Sequence, residues 1–142
     1  MRKLISQLFP MTLFYIDDEQ SFYRLVKRFK FEQDSLTSFA DTYPPEGCAH
    51  TIAMDSDYGL LIVVTLGEQD TEERAASVII HESIHVWQFL KKAMREKKPG
   101  METEAYATQY YATWMLKQRA ELQAKRAALA AKEAAPTSKE KK

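Results

Sequence analysis

Three stretches of the chain show the hydrophobic pattern of a known element. Residues 19–31 place Phe22, Leu25, Val26 and Phe29 at helical spacing, with basic residues on the opposite side. The stretches Cys48–Met54 and Leu60–Leu66 are short and apolar or rich in β-branched residues, which is typical of strands. Only a short loop separates these two stretches, so they are expected to pair as a hairpin, with Leu60–Leu66 buried on both faces.

Two longer helices are predicted after the strands. The first runs from about Thr71 to Met94, with Asp70 as the expected cap of its first turn and Glu73 at the capping-box position. The second begins near Met101, after the Pro99-Gly100 break, and becomes rich in Ala, Lys, Glu and Arg from Lys117 onward. The predicted order is one helix, two or more strands and two further helices. This order predicts a small α+β domain at residues 1–133, followed by a disordered polar tail at 134–142.

The apolar run of the first long helix contains a group of polar residues. His81 and His85 are four residues apart, so a helix places both imidazoles on one side, at a spacing that suits one zinc ion. Glu82 projects about 100° around the helix from His81, which suits a general base acting on a water held by the metal. This is the H-E-x-x-H pattern, and a capped amphipathic helix behind a buried strand is the setting that the pattern requires.

Composition narrows the class of protein. The chain has 142 residues, 45% of them hydrophobic, and its 20 basic residues balance its 20 acidic ones, so charge gives no strong signal for nucleic acid or an anionic membrane. The basic side of residues 19–31 is most simply a solvated helix face. Cys48 is the only cysteine, which excludes an intramolecular disulfide and a thiolate cluster. We interpret the N-terminus as mature sequence rather than a signal peptide, and no window is long enough to span a membrane.

A catalytic zinc site normally has three protein ligands and an open position for water. Cys48 and His50, the remaining cysteine and histidine, both lie upstream of the helix, and we expect His50 to be structural. Glu102 and Glu104 lie at the start of the following helix, which can return to pack on the first. The residues alone leave the choice between these two glutamates open.

HESIHVWQ followed by ETEAYATQ resembles the gluzincin group of zinc metallopeptidases, and most closely the small zincin-like proteins encoded by phages and prophages. The resemblance covers residues 48–116. It implies that His81 and His85 bind Zn²⁺, that Glu82 activates the water, and that a glutamate of the next helix is the third ligand. The E-x-x-A-D form common in the group favours Glu102, although Tyr106 stands where its aspartate would be.

The resemblance implies a zinc-dependent peptidase acting on a peptide or protein substrate. Since no signal peptide or membrane-spanning segment is predicted, we expect a phage or prophage protein in the cytosol of its bacterial host, or a protein of that bacterium itself. In such folds the strand before the zinc helix often binds substrate backbone. Either predicted strand could do this, and the equally weighted alternative is an ordinary buried strand. The alternative is a zincin-like zinc-binding module that serves in interaction or assembly without efficient catalysis, since a chain this small leaves little room for specificity pockets. The oligomeric state is open.

Other polar and aromatic side chains near the pattern carry weaker expectations. Tyr106, Tyr110 and Tyr111 are candidates for stabilising an oxyanion, but such an aromatic stripe is more often core. Trp87 and Trp114 are expected to pack between the two helices. Gln88 is expected to hydrogen-bond the loop after Pro99.

Overall fold

The structure is a computed structural model that describes residues 1–5, 11–29, 42–56 and 59–134, the side chains of residues 55 and 56 excepted. Its elements in chain order are β1 (Arg2–Ile5), β2 (Met11–Ile16), α1 (Glu19–Phe29), β3 (Ala49–Ser56), β4 (Gly59–Leu66), α2 (Glu72–Ala93) and α3 (Met101–Ala134). Four strands and three helices make this an α+β domain, as the sequence predicts.

The strands form one mixed sheet in the order β1-β2-β4-β3. β2 and β4 pair in parallel, while β1 with β2 and β3 with β4 pair antiparallel. The predicted hairpin of β3 and β4 is confirmed, and it pairs Thr51 with Val64. β3 is an edge strand, so no other strand in the described ranges pairs with its outer side.

Helices cover both faces of the sheet. On one face α2 and α3 bury a core that includes Leu13, Ile62, Trp87 and Tyr111, and on the other face α1 buries Phe22 and Leu25 against the strands. This arrangement explains the continuous apolar run of β4: Leu61 to Leu66 are all buried, because alternate side chains enter the two cores. The expected packing of the tryptophans is confirmed, with Trp87 buried and Trp114 partly buried in the α2–α3 core.

The first sixteen residues contain two strands that the sequence pattern did not predict. β2 lies between β1 and β4, and every residue of it except Thr12 is buried. A strand covered on both faces has no period-2 alternation, so its apolar run resembles any other apolar segment. The strand is therefore identified by its pairing with β4, which no local pattern encodes.

The start of α2 differs by one residue from the sequence expectation. Thr71, not Asp70, is the N-cap: its side chain accepts a hydrogen bond from the backbone N–H of Arg74 at 3.1 Å. The Asp70 carboxylate instead accepts from the N–H of Thr71 at 3.0 Å. Because the cap is displaced by one position, Glu73 does not stand at the capping-box offset.

α3 extends well past the sheet and ion pairs connect it to the rest of the domain. Arg119 donates to the Glu72 carboxylate at 2.8 Å, and Arg126 donates to the Asp17 carboxylate at 2.8 Å. Ala134 is the last described residue of α3, so the remainder of the tail predicted at 134–142 lies outside the described residues.

Candidate metal centre

α2 places the H-E-x-x-H residues along one border of its buried side. Ile79, Ser83 and Val86 are buried against the sheet, and the Glu82 side chain is buried with them at 5% exposure. His81 is exposed and His85 is half-buried. The acidic first turn and basic last turn of this helix complement its dipole. The helix therefore presents its two imidazoles to solvent while its carboxylate faces the protein.

The two imidazoles converge on one point. Their Nε2 atoms lie 3.1 Å apart, and the rings stand nearly perpendicular with centroids 4.8 Å apart. Two nitrogen ligands on a tetrahedral zinc, each at about 2.0–2.1 Å, are separated by roughly 3.3 Å. The separation of the two nitrogens therefore fits a single zinc ion between them.

Gln88 fixes the orientation of His85. The Gln88 Oε1 atom lies 2.9 Å from Nδ1 of His85, and since an amide oxygen can only accept, this Nδ1 donates. A proton on Nδ1 leaves Nε2 of the neutral ring with its lone pair free to bind a metal. The expectation that Gln88 bonds the loop after Pro99 is therefore wrong, because its amide group lies one turn along α2 against His85.

Glu82 is held by the sheet. Thr51 of β3 donates a hydrogen bond from its hydroxyl to Oε2 of Glu82. A buried carboxylate is unfavourable unless it is hydrogen-bonded, so this contact compensates part of the cost of burying Glu82. The edge strand and the carboxylate of α2 are thus in direct contact.

His50 precedes Thr51 on β3 but does not join the group. Successive side chains of a strand point to opposite faces, so with Thr51 facing α2, His50 faces the other side of the sheet. Burial lowers the pKa of His50, and the negative charge of Glu82 opposes that shift. This position fits the expectation of a structural histidine, which stays a prediction.

Within the described residues, His81, Glu82 and His85 form a group whose candidate ligand atoms all lie within 4.8 Å of one another. Neither Glu102 nor Glu104 belongs to this group. Both are exposed in the first turn of α3. They are two residues apart, and because each residue of a helix turns by about 100°, their side chains point about 200° apart around the helix axis. The structure brings together the three residues of the motif and leaves the predicted third ligand apart from them.

Glu104, rather than Glu102, lies on the side of α3 that faces α2. It precedes the buried Tyr111 by two helical turns, and it lines an open groove of about 720 Å³ between the two helices. On the α2 side this groove is lined by Ile80 and Ile84, which directly precede the two histidines in the chain. Of the two glutamates, Glu104 is therefore the one directed towards the helix that carries the histidines.

The candidate oxyanion-stabilising tyrosines separate into two sets. Tyr111 is fully buried in the α2–α3 core, whereas Tyr106 and Tyr110 are 66% and 43% exposed. Tyr106 and Tyr110 line a shallow surface of α3 together with Thr113 and Lys117, none of which belongs to the histidine group. The assignment of a tyrosine to the site stays a prediction.

Two residues in contact with the site were not assigned to it from the sequence. Gln88 lies three positions after His85, a spacing that puts both on one side of a helix, so the local pattern contained this signal. Thr51 offers no such signal, because its contact with Glu82 depends on the register of β3 and on how α2 crosses the sheet.

Comparison of the chain with known protein families, curated proteins and solved structures finds no match. Among the described residues, no helix combines the length and apolar character needed to cross a membrane. The geometry of His81, Glu82 and His85 is therefore the observation on which a function has to rest.

Proposed function

We propose that the protein is a zinc-dependent hydrolase, with a peptide bond as its substrate. The observation that carries the proposal is the convergence of the His81 and His85 Nε2 atoms, 3.1 Å apart, beside the buried carboxylate of Glu82. Nitrogen donors in this geometry favour zinc over magnesium or calcium, which prefer oxygen ligands. The resemblance of HESIHVWQ and ETEAYATQ to gluzincins is consistent with the same chemistry.

Each residue of the group has a distinct role in this proposal. His81 and His85 would hold the ion, and the hydrogen bond from His85 to Gln88 keeps Nε2 directed at it. A zinc ion held there would supply a Lewis acid able to polarise the substrate carbonyl and to lower the pKa of a water. Glu82 takes a proton from the attacking water and returns it to the leaving nitrogen. The hydrogen bond from Thr51 to Oε2 orients the carboxylate, so that Oε1 is the oxygen available for proton transfer.

For the third ligand, we propose Glu104 in preference to Glu102. Glu104 lines the groove that Ile80 and Ile84 of α2 border, whereas Glu102 is directed about 200° away around α3. A carboxylate from α3 would complete the two-histidine, one-carboxylate set of many zinc hydrolases and leave a position for water.

The substrate backbone would lie along the outer edge of β3. No other strand in the described ranges pairs with that edge, and Thr51 of the same strand contacts the proposed base. An edge strand can accept an extended peptide through main-chain hydrogen bonds. This placement brings a peptide bond close to Glu82 without any further pocket.

The second candidate is a zinc-binding module for interaction or assembly, without efficient catalysis. It is favoured by one observation, that the three-residue group contains two imidazoles and the proposed base but no further ligand. A site with two firm ligands would bind zinc weakly and would exchange it.

The two candidates are separated by replacing Glu82 with Gln, which keeps the shape of the side chain and removes the base. For the enzyme, the zinc-loaded protein cleaves members of a mixed peptide library, and E82Q loses cleavage by about 10²–10⁴-fold while zinc content stays the same. If the zinc-loaded wild-type protein cleaves no member of the library, the enzyme proposal is wrong and the binding module remains.

A further inference from the structure

The C-terminal end of α2 and the turn that follows it are strongly basic. Residues 91–98 contain five cations, Lys91, Lys92, Arg95, Lys97 and Lys98, and one acid, Glu96. None of the five cations forms an ion pair with any residue in the described part of the chain. By contrast, Glu72 at the other end of α2 is paired with Arg119. Among the described residues, therefore, no acid pairs with the cations of this basic end.

Two of these cations border a cavity. A pocket of about 390 Å³ lies between the last turn of α2 and the β3–β4 hairpin, lined by Ala53, Met54, Leu60, Phe89, Lys92 and Arg95 among others. Its walls combine apolar side chains with two positively charged groups. We refer to it below as the basic pocket. Such a lining suits an anionic group carried on a short apolar stem, for example a glutamate side chain or the C-terminus of a peptide.

Arg95 ends α2 in the left-handed backbone conformation. Arg95 follows the helix C-cap Met94 and has φ of 57°, the left-handed conformation that ends many helices and that glycine adopts at least cost. Its N–H donates to the carbonyl of Lys92 at 3.1 Å, which completes the cap. The cap thus places Arg95 at the border of the basic pocket.

The basic pocket lies on the same strand as the candidate metal centre. β3 contacts Glu82 through Thr51 and lines the basic pocket through Ala53 and Met54. Two to three residues of an extended strand span about 7–10 Å. A peptide that follows the edge of β3 past Glu82 therefore reaches the basic pocket two or three residues further along.

We propose that the basic pocket binds a carboxylate of the extended peptide that lies on β3, and so selects substrates with an acidic group two or three residues to one side of the scissile bond. This proposal rests on the function proposed above for His81, Glu82 and His85. The carboxylate comes from an acidic side chain or from the C-terminus of the peptide, and both sources are tested. A phosphate backbone would also be attracted by the charge, but the apolar walls of Phe89 and Leu60 favour a peptide.

The test measures the binding of labelled peptides by E82Q, the variant that does not turn them over. One eight-residue peptide carries a central Glu and an amidated C-terminus, a second carries Gln in its place, and a third carries Gln with a free C-terminal carboxylate. We expect the Glu peptide, the free-carboxylate peptide or both to bind at least tenfold more tightly than the amidated Gln peptide. Equal affinity for all three, or no binding of any, overturns the proposal.

Charge reversal tests whether Lys92 and Arg95 cause the preference for a carboxylate. In the E82Q background, K92E with R95E should abolish the preference for the Glu or free-carboxylate peptide over the amidated Gln peptide. K125E with K132E changes the net charge equally on exposed lysines of α3 and should preserve the preference. If both double variants lose the preference alike, or if a single-stranded oligonucleotide binds more tightly than the peptides and also loses affinity in K92E/R95E, the basic pocket is not a carboxylate site.

Arg95→Gly is a control that separates loss of the carboxylate preference from loss of folding. Glycine relieves the left-handed strain at this position, so the variant should melt at the same temperature as the parent or higher. It should nonetheless lose carboxylate preference by several-fold, and a retained preference counts against the proposal. Because these are binding measurements, a carboxylate preference in E82Q together with no cleavage by the zinc-loaded wild-type protein would refute the enzyme and leave the basic pocket standing.

Discussion

Two segments were expected to build one metal site, but they differ in burial and in how close their side chains come to one another. The segment His81–His85 lies inside α2, with its carboxylate buried and both imidazoles converging. The segment Glu102–Glu104 lies in the first turn of α3, exposed and outside the three-residue group. The first depends only on the geometry of one helix, whereas the second depends on how two helices pack. The contrast shows which part of the predicted metal site depends on local sequence and which part depends on tertiary packing.

The largest expected effect is on zinc affinity, and it shows which of the two glutamates of α3 is the third ligand. Glu104→Ala should lower zinc affinity by more than the ~100-fold that loss of an outer-shell partner can cause, because it removes a ligand. Glu102→Ala is the matched control and should change the affinity little, since Glu102 is directed away from α2. Zinc competition with a chromophoric chelator measures both. A larger loss in Glu102→Ala would restore the assignment based on the E-x-x-A-D resemblance.

The next effect concerns Gln88, which holds His85. Gln88→Leu should lower zinc affinity by about 10–100-fold, because His85 then loses the partner that fixes its tautomer. Gln88→Glu retains an acceptor at this place and should restore most of the affinity. Long-range ¹H–¹⁵N spectra of the histidines provide an independent measurement: the Nδ1–H form of His85 should be lost in Gln88→Leu and kept in Gln88→Glu. An unchanged tautomer in Gln88→Leu would contradict the assigned role.

A smaller effect is expected at Thr51. Thr51→Val removes the hydroxyl that donates to Glu82 and should reduce peptide hydrolysis by about tenfold, at unchanged zinc content. Thr51→Ser keeps the hydroxyl and should recover the rate. A loss of zinc in Thr51→Val, or a failure of Ser to rescue, would indicate that Thr51 supports packing rather than the base.

The smallest effect concerns the ion pair that aligns α3 with α2. Arg119 and then Gln123 lower the pKa of Glu72 from its usual 4.5 through hydrogen bonds. A carboxyl with a depressed pKa in the folded state stabilises the fold above its unfolded pKa, and this stability is lost as the pH falls through the folded pKa. Glu72 is largely exposed, so the contribution is at most about 1 kcal/mol.

Urea unfolding measures the contribution of the Glu72 ion pair to the stability of the fold. Glu72→Gln should lower the free energy of unfolding slightly at pH 7 and by less at pH 3, while Glu133→Gln, at an exposed position near the end of α3, should have no effect at either pH. An equal effect of Glu72→Gln at both pH values would mean that its charge is not what stabilises the α2–α3 pair.

The parts of this fold that the sequence predicts are those encoded over a few neighbouring residues. The spacing of His81 and His85, the β3–β4 hairpin and the start of α3 depend on local periodicity, and the structure confirms them, while α2 starts one residue later than predicted. The strand β2 and the contact of Thr51 with Glu82 depend on pairing between distant segments. The direction of Glu104 likewise follows from the packing of α3, which no local pattern encodes.

The central claim, that His81 and His85 form a metal site, is tested most directly by titrating the metal-free protein with zinc in a calorimeter. We expect the wild-type protein and E82Q each to bind one equivalent of zinc. His81→Ala and His85→Ala should show no measurable zinc binding at the same concentration. His50→Ala, whose imidazole lies outside the group, should bind as the wild type does. Zinc binding that survives both histidine substitutions, or no binding by the wild-type protein, would contradict the account.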